Sequence, residues 1–76
     1  MAEVSGLVAP SEYQAARTRL FPSPQSWAWF QRQHRSKLVE AGALLVVAGR
    51  NILVEDLTDQ VVLEVGRRSA ADRSAA

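Results

Sequence analysis

Apolar positions in the first third of the chain recur with a helical period. Ser11 and Gln14 have the spacing of a capping box, and Tyr13, Ala16 and Leu20 follow three or four residues apart. This spacing predicts a short first helix with Ser11 as its N-cap and its end near Leu20.

A second helix is predicted after the segment Phe21-Pro22-Ser23-Pro24. Each proline removes a backbone donor and restricts the residue before it, so this segment ends the first helix. Ser23 suits the N-cap position and Pro24 suits the first helical turn. The next helix is therefore predicted over residues 25 to about 37, and Gly42 suits a left-handed cap after it. Two helices joined by about four residues have the size of a helix-turn-helix.

The second helix has two distinct faces. Its predicted core side carries Trp27, Phe30, His34 and Leu38, and a different, working side carries Ser26, Trp29, Arg32, Gln33 and Ser36. Trp27 and Trp29 are two positions apart, so one helix cannot bury both of them on the same face. We predict that Trp27 is buried and that Trp29 faces outward.

Two aliphatic runs follow this helix and predict a β-hairpin. They occupy residues 43–47 and 52–54, and the segment between them, Ala48-Gly49-Arg50-Asn51, has the composition of a turn. Leu7 and Val8 form an earlier apolar pair that is predicted to pair with, or pack on, later structure. The hairpin gives the predicted fold its β component.

A third helix is predicted after the hairpin. Glu55 and Asp56 suit a helix N-terminus, and Leu57, Val61 and Val65 repeat at helical spacing. The β-branched pair at positions 61 and 62 leaves a strand as an alternative. The last residues are small and polar and predict a disordered tail.

These elements predict an α+β fold, a small winged helix-turn-helix with two helices, a β-hairpin wing, a C-terminal helix and a disordered tail. In such an arrangement a helix enters the major groove of duplex DNA, and the hairpin reaches the adjacent backbone or minor groove. Residues 1–6 are predicted as a flexible N-terminus, 7–66 as the winged-helix DNA-binding domain, and 67–76 as a disordered tail of basic and small residues.

The composition argues against an enzyme. A chain of 76 residues has little material for a water-excluding pocket, and no nucleophile–base pair or ligand cluster is visible. It has no cysteine and one histidine, so disulfides and thiolate metal sites are excluded and no cofactor or metal is predicted. The chain lacks the features of a signal peptide and any bilayer-spanning run, so we expect a cytoplasmic protein with no membrane partner and no small-molecule substrate.

Charge is unevenly distributed although the net charge is only +1. Between positions 12 and 50 the basic residues Arg17, Arg19, Arg32, Arg35, Lys37 and Arg50 outnumber the acids Glu12 and Glu40. Between positions 51 and 66 the charged residues are all acids, namely Glu55, Asp56, Asp59 and Glu64. A basic front with an acidic back favours a nucleic-acid partner.

The candidate DNA contacts come from the second helix and the hairpin. Arg recognises guanine and phosphate, and Gln recognises adenine, so these residue types on an exposed helix suit base and backbone contacts. Helix N-termini usually reach the bases, which assigns Gln25, Ser26 and Trp29 to the groove and Arg32, Arg35 and Lys37 to phosphates. The full predicted set is Ser23, Gln25, Ser26, Trp29, Arg32, Gln33, Arg35, Lys37, Arg50 and Asn51.

The order of elements resembles the small winged-helix proteins of the excisionase family, which are related in fold to the DNA-binding heads of MerR-type regulators. The resemblance covers residues 7–66, and its clearest part is residues 47–57, Val-Ala-Gly-Arg-Asn-Ile-Leu-Val-Glu-Asp-Leu. Asn51 stands where a second basic residue is frequent, and the run Trp27-Ala28-Trp29-Phe30 is bulkier than the recognition helix of many members.

The resemblance implies a non-catalytic function in DNA recombination. Such proteins bind double-stranded DNA beside the attachment site of a mobile genetic element, bend it, and direct an integrase toward excision. The resemblance therefore implies an integrase as a partner and cooperative self-association on DNA. One alternative is a small transcription regulator of a mobile element or plasmid. Another, from a different class, is a protein-interaction module, an antitoxin or adaptor, that docks through Trp29.

Overall fold

The computed structural model describes residues 6–74 of the chain. Within this range it contains four α-helices and a three-stranded antiparallel sheet, as the α+β prediction requires. The elements in chain order are β1 (Leu7–Val8), α1 (Pro10–Ala16), α2 (Pro24–Gln33), α3 (Arg35–Glu40), β2 (Leu44–Val47), β3 (Arg50–Val54) and α4 (Glu55–Ser74).

The sheet has the strand order β1-β3-β2. The pairing of Leu7 with Val54 confirms that the early apolar pair joins later structure. The hairpin is also confirmed, but its turn is shorter than predicted. Only Ala48 and Gly49 lie between the strands, with φ angles of 52° and 78°, and two positive φ angles are typical of the tight turns that suit a two-residue hairpin.

The helix starts show how local sequence signals compete. Ser23 caps α2 as predicted, and Pro24 is its first residue. The prediction of Ser11 as the cap of α1 is wrong, because Pro10 already fits the first helical position and Ala9 takes the cap. The Ala9 amide donates to the Glu12 carboxylate at 2.8 Å, so the second half of a capping box forms there. This first helix ends at Ala16 rather than near Leu20.

The predicted continuous helix to position 37 is wrong, because it breaks at His34. The backbone of His34 has φ −123° and ψ 25°, and this residue ends α2 and precedes α3. The two helices have different partners, since α2 packs against α1 whereas α3 packs against β2 and α4. The break therefore redirects the chain toward the sheet. Gly42 follows with φ 75°, which confirms the predicted left-handed cap.

An aromatic cluster forms the centre of the core. The Trp27 ring stacks on Phe30 at a centroid distance of 5.7 Å and meets the edge of Phe21 at 5.0 Å. Trp27 is 3% exposed whereas Trp29 is 56% exposed, so the predicted opposite orientation of the two tryptophans is confirmed. The buried hydrophobic residues are Tyr13, Phe21, Trp27, Phe30, Leu38, Ala43, Leu44, Leu53 and Val61.

The third predicted helix is α4, and it is longer than expected. The alternative of a strand at positions 61–62 is wrong. The structure also differs from the predicted disordered tail, because α4 continues through residues 67–74. These residues are exposed on all sides, so packing does not explain their helical conformation. They extend a helix that is already formed, which avoids the cost of nucleation, and Arg and Ala among them favour a helix. Positions 1–5 and 75–76 of the predicted termini lie outside the described residues.

Candidate nucleic-acid interface

The exposed face of α2 carries the strongest group of candidate contacts. Gln25, Trp29 and Arg32 are exposed and stand four and three residues apart, so they follow one another along the same side of the helix. Gln33 is exposed beside this row. Core packing of Trp27 and Phe30 on the opposite side fixes the rotation of the helix and keeps the row facing outward.

Two predicted arginine contacts lie together across the break at His34. Arg32 of α2 and Arg35 of α3 line one groove of about 240 Å³ with Ala28 and Gln31. Lys37 is half-buried and lines a different groove with Glu40 and Glu64, so the structure separates it from the arginine pair.

Ser23 and Ser26 have a structural role in the N-terminal cap of α2. The Ser23 hydroxyl accepts a hydrogen bond from the Ser26 amide at 3.2 Å, and the Ser26 hydroxyl donates to the Ser23 carbonyl at 2.6 Å. Both residues are half-buried in the cap of α2. They therefore hold the first turn of the helix in place, next to Gln25.

Arg50 and Asn51 are exposed but do not form the hairpin tip that the sequence predicts. Both belong to β3, where Arg50 pairs with Val47 and Asn51 pairs with Val46. Consecutive side chains of a strand point to opposite faces of the sheet, so these two residues are separated. Arg50 lines a groove that it shares with Leu7 and Ile52.

The predicted basic front is wrong at Arg17, because this residue is paired with the acids of α4. Its guanidinium donates to both oxygens of Asp59, at 2.6 and 2.7 Å, and to Glu55 at 2.9 Å. It also lies over the Tyr13 ring at 4.1 Å, and the Tyr13 hydroxyl donates to Asp59 at 2.6 Å. The sequence held a signal for this network, since Tyr13 and Arg17 are four residues apart and so are Glu55 and Asp59.

The network shifts the titration of its members. The hydrogen bonds from Arg17 hold the pKa of the Asp59 carboxyl below its usual value. Burial raises the pKa of the Tyr13 hydroxyl, and its hydrogen bond to Asp59 adds to the rise. The network thus joins α1 to α4 and makes Arg17 a structural residue.

With Arg17 paired, the unpaired basic charge lies on other elements. None of Arg32, Arg35, Lys37 and Arg50 forms an ion pair within residues 6–74. Of these, Arg32, Arg35 and Arg50 are exposed and therefore available to phosphate groups, whereas Arg17 would first have to leave two carboxylates.

Two buried polar residues escaped the sequence analysis. The Thr58 hydroxyl donates to the Val54 carbonyl at 2.8 Å, and the Gln14 amide donates to the Phe21 carbonyl at 2.7 Å. The Val54 carbonyl directly precedes α4, and the Phe21 carbonyl lies in the connection between α1 and α2. The buried indole N–H of Trp27 has no hydrogen-bond partner in the part of the chain that the structure describes.

Across positions 6–74, no group of three or more His, Cys, Asp or Glu side chains is arranged to hold a metal ion. No helix in this range combines the length and the apolar character that crossing a membrane requires.

Comparisons with protein-family models, with curated proteins and with solved structures found no match to this chain.

Proposed function

We propose that this chain is a non-catalytic, sequence-specific protein that binds double-stranded DNA as a winged helix, with α2 in the major groove. The observation that carries the proposal is the outward row of Gln25, Trp29 and Arg32, which a packed core holds in place. An α-helix fits into the major groove of duplex DNA, so side chains along such a row can reach the base edges.

The residues of this row have different tasks in the proposal. Gln25 lies in the first turn of α2, where side chains reach base edges, and its amide suits adenine. Trp29 offers an apolar surface to thymine methyl groups. Arg32 and Arg35 share a groove and bind backbone phosphates on either side of the helix break.

The finer assignment is a recombination directionality factor of the excisionase kind. The resemblance of residues 47–57 and the direct passage from hairpin into an acidic helix start support it. In this role the chain bends DNA near an attachment site and acts with an integrase. A transcription regulator of a mobile element uses the same DNA-binding surface, and the neighbouring genes distinguish the two. Arg50 and Asn51 stay predicted contacts, and the proposal does not depend on them.

The test is a fluorescence anisotropy titration on duplex DNA from beside the gene and on an unrelated duplex, at two salt concentrations. We expect tighter binding to the first duplex and a steep loss of affinity with salt. Arg32→Ala should weaken binding and reduce the salt slope by about 1, with an unchanged thermal midpoint. Arg68→Ala, on the exposed end of α4, is the control. Absence of binding at low salt would refute the proposal.

The second candidate function is protein docking through Trp29, which the 56% exposure of this side chain favours. In that case Trp29→Ala abolishes capture of the partner, and the capture depends little on salt. The same variant in the DNA titration shows whether Trp29 contacts DNA instead, because its affinity for the duplex is then reduced.

A further inference from the structure

The outer face of the sheet is aliphatic although nothing in the described chain covers it. Leu44 and Leu53 are paired and both buried, so they mark the core face of β2 and β3. Side chains alternate along a strand, which places Leu45, Val47, Ile52 and Val54 on the other face. Leu7 pairs with Val54 and extends this face into β1.

This pattern differs from that of a sheet with one solvent-exposed face. An antiparallel sheet that packs on one side alternates apolar and polar residues, so its outer face is mostly polar. Here Arg50 is the only polar residue of β1, β2 and β3 on that face. Leu7, Leu45 and Val47 are nevertheless 39%, 37% and 55% exposed. An apolar patch of this kind marks an interaction surface.

A groove of about 330 Å³ runs across this face. Its apolar lining residues are Leu7, Val8, Ala9, Val47 and Ile52. Its lining also includes one acid, Glu12, and one base, Arg50. Neither of these two forms an ion pair within residues 6–74. The groove therefore combines an apolar lining with two opposite charges that are not paired with each other within residues 6–74.

We propose that this outer face binds a second copy of the chain in a two-fold symmetric dimer. A two-fold axis places the same surface on both partners, so a face that carries both charges is complementary to itself. Glu12 of each copy then meets Arg50 of the other, and aliphatic side chains meet across the axis. DNA is the less suitable partner for this face. Within residues 6–74, Arg50 is the one cation there that could bind a phosphate, and the nearby Glu12 carboxylate would repel it.

The dimer goes beyond the proposed function, because it forms in the absence of DNA. It assigns Arg50 to the dimer in place of its predicted DNA contact, and DNA binding then rests on α2 and α3. A failure of the dimer would leave DNA binding untouched, and the reverse also holds.

Adjacent valines of β2 provide a matched pair of variants. Val46 and Val47 are 61% and 55% exposed, and the strand alternation points them to opposite faces. Sedimentation equilibrium without DNA, over a range of concentrations, gives the dissociation constant of each variant. We expect Val47→Glu to raise it at least about tenfold and Val46→Glu to leave it within about twofold of the unmutated value. A monomer throughout the concentration range, or equal effects of both variants, overturns the proposal.

Charge reversal tests the pairing of Glu12 with Arg50. Glu12→Arg and Arg50→Glu should each weaken the dimer, and the double variant should restore it. Glu12 also caps α1, so thermal unfolding of each variant separates a loss of folding from a loss of association. If the double variant associates no better than the single ones while remaining folded, the two-fold arrangement is wrong.

Discussion

Removal of the Asp59 carboxylate is the sharpest test of how this small domain is held together. Asp59 accepts one hydrogen bond from Tyr13 and two from Arg17. A buried hydrogen bond to a charged group contributes roughly 1.5–3 kcal/mol. The Asp59 side chain is 38% exposed, so solvent screening reduces the contribution of this network. We expect Asp59→Ala to lower the free energy of unfolding by about 2 kcal/mol.

Thermal unfolding followed by circular dichroism measures this loss. A change of about 2 kcal/mol in a domain of this size lowers the midpoint by roughly 10 °C. Asp56→Ala is the control, because Asp56 lies three residues before Asp59 in α4, is exposed and forms no ion pair within residues 6–74. Arg17→Ala combined with Asp59→Ala should cost less than the sum of the two, by about 1 kcal/mol.

Acid titration gives an independent measurement of the same contact. The pKa of Asp59 is lower in the folded state than in the unfolded state, so its contribution is present above the unfolded value of about 4. This contribution is lost as the pH falls through the folded pKa. Unfolding of the unmutated chain should therefore respond more steeply to acid than unfolding of Asp59→Ala. Equal midpoints at neutral pH together with equal acid responses would refute the reasoning.

Three further outcomes follow from the core, the turn and the tyrosine. Trp27→Ala should cost about 3–5 kcal/mol, whereas Trp29→Ala should change stability by less than about 0.5 kcal/mol, as urea unfolding of both measures. Ala48→Gly should stabilise the chain by about 0.5–1 kcal/mol, because Ala48 has a positive φ of 52° that glycine adopts without strain, and a lower urea midpoint would contradict this. Tyr13 is the only tyrosine, so absorbance titration should show its ionisation above the usual value of about 10, and stability from the neutral phenol is present below that value and lost at higher pH. Ionisation at the usual value in the folded chain would contradict the burial of this hydroxyl.

The sequence predicted the features that depend on a few neighbouring residues. Ser23 and Pro24 specify a helix start by their own chemistry, and Gly42 specifies a left-handed cap. The opposite orientation of Trp27 and Trp29 follows from the geometry of any single helix. These signals are local, so they can be read without knowledge of the partners.

The features that the sequence analysis missed depend on distant partners. Arg17 and Asp59 are separated by 42 positions, and charge counted along the chain could not show that they meet. The break at His34 reflects the different packing of α2 and α3, which the helical period alone does not contain. Within the candidate interface, residue types could be predicted, but the separation of Lys37 from Arg32 and Arg35 required the fold.

No residue stands between the hairpin and the last helix, since β3 ends at Val54 and α4 begins at Glu55. The Thr58 hydroxyl bonds to Val54, and the Glu55 amide bonds to Gly6 at 2.7 Å, so this junction lacks a hinge. We therefore expect the hairpin and the start of the helix to move together. A rigid helix of 20 residues is about 30 Å long, and it converts a small tilt at its base into a movement of several ångströms at its free end. We therefore expect a contact that tilts the hairpin to shift the free end of α4 as well.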